Sequence, residues 1–215
     1  MIYDMNTITN VQTQKNKIIF FIDWDNTIMP SYALLNNISG INIKKQLADL
    51  ENIVINLLSS AQQKGKVFII TNADTEWLMS SSQTFFPKLN LMMKDTKIIL
   101  ISAKSKYKKV FPEDNFKWKY ETFRSCLDEE SNYQNDITHV ISIADGNLEE
   151  KILQSLVNEI MKTNMKKYYI KTIILVSNPS IHQINKQLTL IIEKLDFIIE
   201  IEDNIGIKMT SKKNI

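Results

Sequence analysis

Five short apolar runs, each bounded by polar residues, constrain this chain most. They are Lys17–Asp23 (KIIFFID), Val67–Thr71 (VFIIT), Lys97–Ser102 (KIILIS), Val140–Ile143 within HVISIAD, and Thr172–Val176 (TIILV). Continuous apolarity, rather than strict alternation, marks strands buried on both faces. The stretches between them have helical periodicity. Ile43, Leu47, Leu50, Val54, Leu57, Leu58 and Ala61 form one stripe, closed by Gly65. Asp74 caps a helix that runs to about Phe85 and stops before Pro87, and Lys119 to about Leu127 forms another, followed by a polar loop from Asp128 to Asp136. Asn147-Leu148-Glu149-Glu150 has the form of a capping box, and Leu148, Ile152, Leu156 and Ile160 continue its helix. Pro179 suits a first helical position, ahead of Ile184, Leu188, Ile191 and Leu195. Phe197–Ile201 and Ile205–Met209, around Asp203-Asn204, read as a terminal hairpin. Strands alternating with amphipathic helices give an α/β fold in three layers. Its centre is a mainly parallel five-stranded sheet, with a C-terminal β-hairpin. One domain is expected over residues 17–215, behind a flexible polar segment at 1–16.

Composition excludes more than it assigns. Lys+Arg 26 against Asp+Glu 24 gives a net charge of +2, which makes no strong case for nucleic acid or a membrane surface. Cys126 is the single cysteine, so no intrachain disulfide can form. With only His139 and His182, a Cys/His zinc site and a Ser-His-Asp triad are poorly supplied. No apolar run reaches the length of a membrane span, and Met1 to Lys17 lacks the apolar core of a secretory signal. The expectation is a soluble, cytoplasmic protein. Its oligomeric state is not legible.

The first apolar run ends in Asp23-Trp24-Asp25-Asn26-Thr27. Side chains at i and i+2 of an extended chain point the same way, so Asp23 and Asp25 converge just past a buried strand. Two carboxylates so close repel unless a cation or shared proton lies between them. In open parallel sheets, ligands bind beyond the carboxyl ends of the strands. The polar residues that end the other runs, Thr71, Asn72 and Asp145, belong to the same crevice by that rule.

The order of these groups is specific: Asp-x-Asp-x-Thr, then Thr71-Asn72, then a lysine in Lys117-Trp118-Lys119, then Ala144-Asp145 with Glu149 one helical turn on. It resembles the haloacid dehalogenase superfamily, and specifically its phosphatases, which have a Rossmann-like domain. The four motifs run from Asp23 to Glu149, and the strand-helix pattern extends the likeness over most of the chain. The resemblance implies that Asp23 attacks phosphorus and that Asp25 is general acid, then general base. It implies Mg²⁺ held by the Asp23 carboxylate, the Asp25 backbone carbonyl and Asp145, with Glu149 on a metal-bound water. It makes Thr71 and Asn72 phosphate-binding, with a lysine to offset the accumulated charge. Lys119 is preferred for that lysine and Lys117 is its competitor.

Three positions depart from the usual pattern. Ala144 stands where Gly or Asp is common, Glu149 replaces a second Asp, and Asn26 replaces a Gly. The gaps between Thr27 and Ile70 and between Thr71 and Lys119 do not easily hold a full cap domain, which implies a capless or minimally capped enzyme with an open site. The resemblance then implies a large phosphorylated substrate, such as a macromolecule, and Trp24, Trp77 and Trp118 are candidates to line the opening. Simpler roles stand beside these. Asp145 and Glu149 are also placed to serve a helix N-terminus, and Lys104, Lys106, Lys108 and Lys109 read as a solvated surface. The altered Ala144-Asp145-Gly146 turn keeps open an alternative function, a non-catalytic relative acting as a structural or partner-binding component.

Overall fold

The computed structural model describes residues 17–36, 42–130, 138–163 and 167–210. The segment 1–16 and positions 131–136 of the expected polar loop lie outside the described residues. Six strands form one sheet, in the order β3-β2-β1-β4-β5-β6. The strands are β1 (Lys17–Ile22), β2 (Lys66–Thr71), β3 (Ile99–Ser102), β4 (Thr138–Ala144), β5 (Tyr168–Ile174) and β6 (Ile205–Lys208). All five pairings are parallel. The helices are α1 (Ser31–Leu35), α2 (Ile43–Lys64), α3 (Thr75–Phe85), α4 (Pro87–Asp95), α5 (Ala103–Tyr107), α6 (Asn115–Glu130), α7 (Leu148–Thr163) and α8 (Ile181–Glu200).

The period-2 geometry of β1 divides the core. Phe20 and Ile22 face one layer, with Leu50, Val54 and Leu57 of α2, Leu78 of α3, Leu89 of α4 and Leu188 of α8. Ile19 and Phe21 face the other, with Phe123 of α6 and Ile152 and Leu156 of α7. Phe21 stacks on Phe123 with ring centroids 4.2 Å apart. Both faces of the central strands are therefore covered, as their continuous apolarity requires. Gly65 joins α2 to β2 where a Cβ would lie 2.2 Å from the Ile18 carbonyl oxygen, so only glycine allows the strands to approach.

The three-layer α/β expectation holds, with corrections in detail. The sheet has six strands rather than five, and there is no terminal hairpin among the described residues. Phe197–Glu200 is the last turn of α8, and β6 pairs parallel with β5, Lys171 opposite Ile205. A hairpin demands antiparallel neighbours, so the crossover helix replaces it. β5 starts at Tyr168 instead of Thr172. Pro179 precedes the helix; Ser180 is the N-cap, with its hydroxyl accepting from Gln183 N at 3.2 Å and Ser180 N donating to Gln183 Oε1 at 2.8 Å. Pro87 starts a helix as well as ending one: α4 begins there, and buried Glu51 accepts from Lys88 N at 2.6 Å and Leu89 N at 3.1 Å. α6 begins at Asn115, so Lys119 lies in its second turn rather than at its start.

Candidate active site

The strand order reverses at the centre of the sheet. The chain runs outward from β1 to β2 and β3, then returns to place β4 on the other side of β1. The crevice opens at such a switch point, beyond the carboxyl ends of β1 and β4. A cleft of about 340 Å³ lies there. It is lined by Asp23, Asp25, Thr71, Asn72, Lys119, Asp145 and Glu149, along with Ala73, Gly146 and Leu148. All seven residues singled out from the sequence thus line one cleft, delivered by five separate segments.

Asp23 follows the last residue of β1 and donates its backbone N–H to the Ile143 carbonyl of β4 at 2.9 Å. Its carboxylate Oδ1 accepts from Lys119 Nζ at 2.6 Å. Lys119 reaches inward from α6, 3% exposed, and its ammonium also donates to Glu149 Oε1. Glu149, in the first turn of α7, thus pairs with Lys119. Burial pushes the Asp23 carboxyl up to about 7; Lys119 opposes that shift, while Glu149 and Asp145 add to it. Burial works against the Lys119 charge too, but Asp23 and Glu149 outweigh it and hold the ammonium above its usual range. Lys117, the competitor, lies over the rings of Tyr120 and Phe111 and is not among the residues that line the cleft.

Asp25 is held by three donors. Thr71 Oγ1 donates to Oδ2 at 3.2 Å, Trp77 Nε1 donates to Oδ1 at 2.8 Å, and the Ser31 hydroxyl donates to Oδ1. The turn that makes this possible is tight: Met29 N donates to the Trp24 carbonyl at 2.8 Å and Asn26 N to the Met29 carbonyl at 2.7 Å. Asn26 takes the left-handed conformation, φ 57°, which asparagine tolerates in place of glycine. Its Oδ1 accepts from Tyr32 N at 2.8 Å, and its side chain hydrogen-bonds Asp145. Burial raises the Asp145 carboxyl; the Asn26 bond opposes this and Glu149 adds to it.

Thr71 ends β2, and its hydroxyl also accepts from Ala73 N at 2.9 Å. Asn72 Nδ2 donates one of its two N–H groups to the Asn115 carbonyl at 2.9 Å, which ties the side chain to the start of α6. Of the three tryptophans, Trp77 alone reaches the site. Trp24 is fully buried with Nε1 donating to Ser81 Oγ at 3.1 Å, and Trp118 donates to the Phe111 carbonyl at 2.6 Å. Sequence reasoning missed Ser31. A lone serine six residues past an aspartate carries no pattern signal.

Four carboxylates and one ammonium line the cleft. That surplus of hard oxygen donors suits a hydrated divalent cation, which needs only one or two carboxylates from the protein. An all-side-chain cage is not formed: among the described residues, no group of three His, Cys, Asp or Glu is placed to hold a metal. Among the described residues, no helix is long and apolar enough to cross a membrane. Comparison of the chain with protein-family models, with curated proteins and with solved structures found no match.

Proposed function

We propose that this chain is a magnesium-dependent phosphomonoester hydrolase of the haloacid dehalogenase type, working through an aspartyl-phosphate on Asp23. The observation that carries the reading is the pairing of Lys119 Nζ with Asp23 Oδ1 at 2.6 Å, in a cleft that also holds Asp25, Thr71 and Asp145. A nucleophilic carboxylate, a separately held second carboxylate and a buried cation are the parts that phosphoryl transfer needs. Mg²⁺, held by Asp23, the Asp25 carbonyl and Asp145, would neutralise charge on the phosphoryl oxygens.

Asp23 attacks phosphorus while Asp25 protonates the departing oxygen. Asp25 then takes a proton from the water that attacks the aspartyl-phosphate, releasing inorganic phosphate and restoring Asp23. Lys119 keeps Asp23 oriented and balances the phosphoryl charge, with Glu149 holding the ammonium in place. Thr71 donates to a phosphoryl oxygen once it releases Asp25. Among the described residues no separate cap domain stands over the cleft, which favours large phosphorylated substrates.

Purified protein with Mg²⁺ is expected to release phosphate from p-nitrophenyl phosphate, and Asp23→Asn to reduce the rate at least about 10³-fold. A wild-type protein inert on a broad phosphomonoester panel with metal present contradicts the reading. One observation favours a second reading, a non-catalytic scaffold: the buried Lys119 is shared between Asp23 and Glu149 as a structural ion-pair triad would be. Calorimetric titration separates the two, since a scaffold need not bind Mg²⁺.

A further inference from the structure

We propose that Trp77 and Ser31 are positioning residues that clamp Asp25 through Oδ1 and reserve Oδ2 for proton exchange with the substrate. The inference rests on the phosphatase reading and assigns parts within it. A carboxylate oxygen has two lone pairs in its plane. Oδ1 of Asp25 meets two donors, Trp77 Nε1 at 2.8 Å and the Ser31 hydroxyl, so both of its sites are filled. Oδ2 meets one, Thr71 Oγ1 at 3.2 Å, and keeps a site open. The two oxygens are chemically equivalent in isolation; the protein makes them unequal.

The clamp joins a local donor to a distant one: Ser31 lies six residues past Asp25, and Trp77 lies 52 residues past it. Ser31 opens α1 and is 7% exposed. Trp77 comes from the first turn of α3, far along the chain, and packs its ring against the core on the α2 face of the sheet. An indole N–H can only donate, and it has no rotatable hydrogen to redirect. Trp77 therefore fixes the carboxylate plane in a way that a hydroxyl cannot.

The proton accounting follows. As the bond from phosphorus to the leaving oxygen breaks, the electron pair goes to that oxygen, which takes the proton from Oδ2. In the second step Oδ2 accepts a proton from water as the water oxygen bonds to phosphorus and the Asp23–phosphorus bond breaks. Oδ1 stays hydrogen-bonded throughout, so the carboxylate does not rotate between steps.

The test uses leaving-group dependence, which a merely structural residue would not move. p-Nitrophenolate departs without a proton, whereas the alkoxide of glycerol phosphate needs one. For Trp77→Phe in the full-length protein, kcat/KM on glycerol phosphate is expected to fall about 10- to 100-fold, a part of the roughly 10²- to 10⁴-fold that general acid catalysis contributes in full. On p-nitrophenyl phosphate it should stay within about 3-fold. Ser31→Ala, which leaves the indole in place, should split the two substrates in the same direction, and Asp25→Asn sets the upper bound of the split. Equal loss on both substrates in both variants, or no loss on either, overturns the clamp while leaving the phosphatase reading intact. A wild-type protein inert on both substrates overturns the phosphatase reading and the clamp together.

Discussion

At the scale of single residues, Lys119 carries the largest local imbalance. Its ammonium is 3% exposed and is shared between two carboxylates that are themselves nearly buried. Removing one partner of a buried ion pair leaves charge with neither water nor counterion, which costs about 3–5 kcal/mol. Lys119→Met is therefore expected to lower the unfolding free energy at pH 8 by about that amount, measured by urea denaturation with an unchanged slope. A change below about 1 kcal/mol would mean that water or another cation reaches Asp23 and Glu149 unaided. Order after Thr71 pointed to the Lys117-Trp118-Lys119 segment but left Lys117 as a competitor to Lys119, and only the fold separates the two. The second partner of Lys119 was not legible: Glu149 sits at a spacing that fits a helix cap, a metal-bound water or a lysine, and only the fold brings α6 against α7. Ser31 lay below any sequence signal, and Trp77 was legible as an aromatic near the opening but not as a hydrogen-bond donor to Asp25.

At the scale of elements, apolar continuity identified the strands β1 to β4, and mixed composition obscured where β5 begins. β5 starts with Tyr168, Tyr169, Ile170 and Lys171, and a charged residue ordinarily marks a strand boundary. Here Lys171 is fully buried. Its Nζ donates to the Ile199 carbonyl at 2.6 Å in the last turn of α8 and is hydrogen-bonded with His139 Nδ1 on the neighbouring strand at 2.7 Å. This contact pins the end of α8 to the sheet, and it explains why Phe197–Glu200 stays helical where the isoleucines suggested a strand. The helical spacing of Ile184, Leu188, Ile191 and Leu195 runs on to Ile198, which is buried, while Phe197 is exposed. The pinned amine has a pH signature. Burial pushes Lys171 down from 10.5 to about 8, with Glu202 opposing. Between those values the unfolded chain holds a proton that the folded chain has lost, so this amine's contribution to stability rises with pH across that window. The buried Cys126 thiol, pushed up to about 12, contributes the opposite slope above pH 9, so the rise is read in the difference: in thermal or urea unfolding from pH 7.5 to 10.5, the stability of the wild type relative to Lys171→Met should increase. A wild-type profile that falls throughout, with no difference in the variant, contradicts a neutral buried Lys171.

At the scale of the whole molecule, topology does what local pattern cannot. Asp23, Thr71 and Asp145 each end a buried strand or follow one, and the order β3-β2-β1-β4 sets those three ends side by side. The sequence alone licensed the expectation of one crevice because parallel strands carry their carboxyl ends to the same edge. It showed a strand at Ile205–Met209 but did not reveal that this strand pairs parallel with β5, because the connection is the long helix α8 rather than a tight turn. Nor did it reveal which of Asp23 and Asp25 is tied to Lys119 and which is held by neutral donors. That asymmetry supports the division of roles proposed for the two carboxylates, one attacking and one exchanging a proton.

Trapping the covalent intermediate tests this assignment most directly. Wild-type protein quenched during turnover of p-nitrophenyl phosphate with Mg²⁺ and reduced with borohydride should yield homoserine at position 23, seen by peptide mass spectrometry, and unmodified aspartate at position 25. Turnover with no reduction product at position 23, or with the product at position 25, contradicts the account.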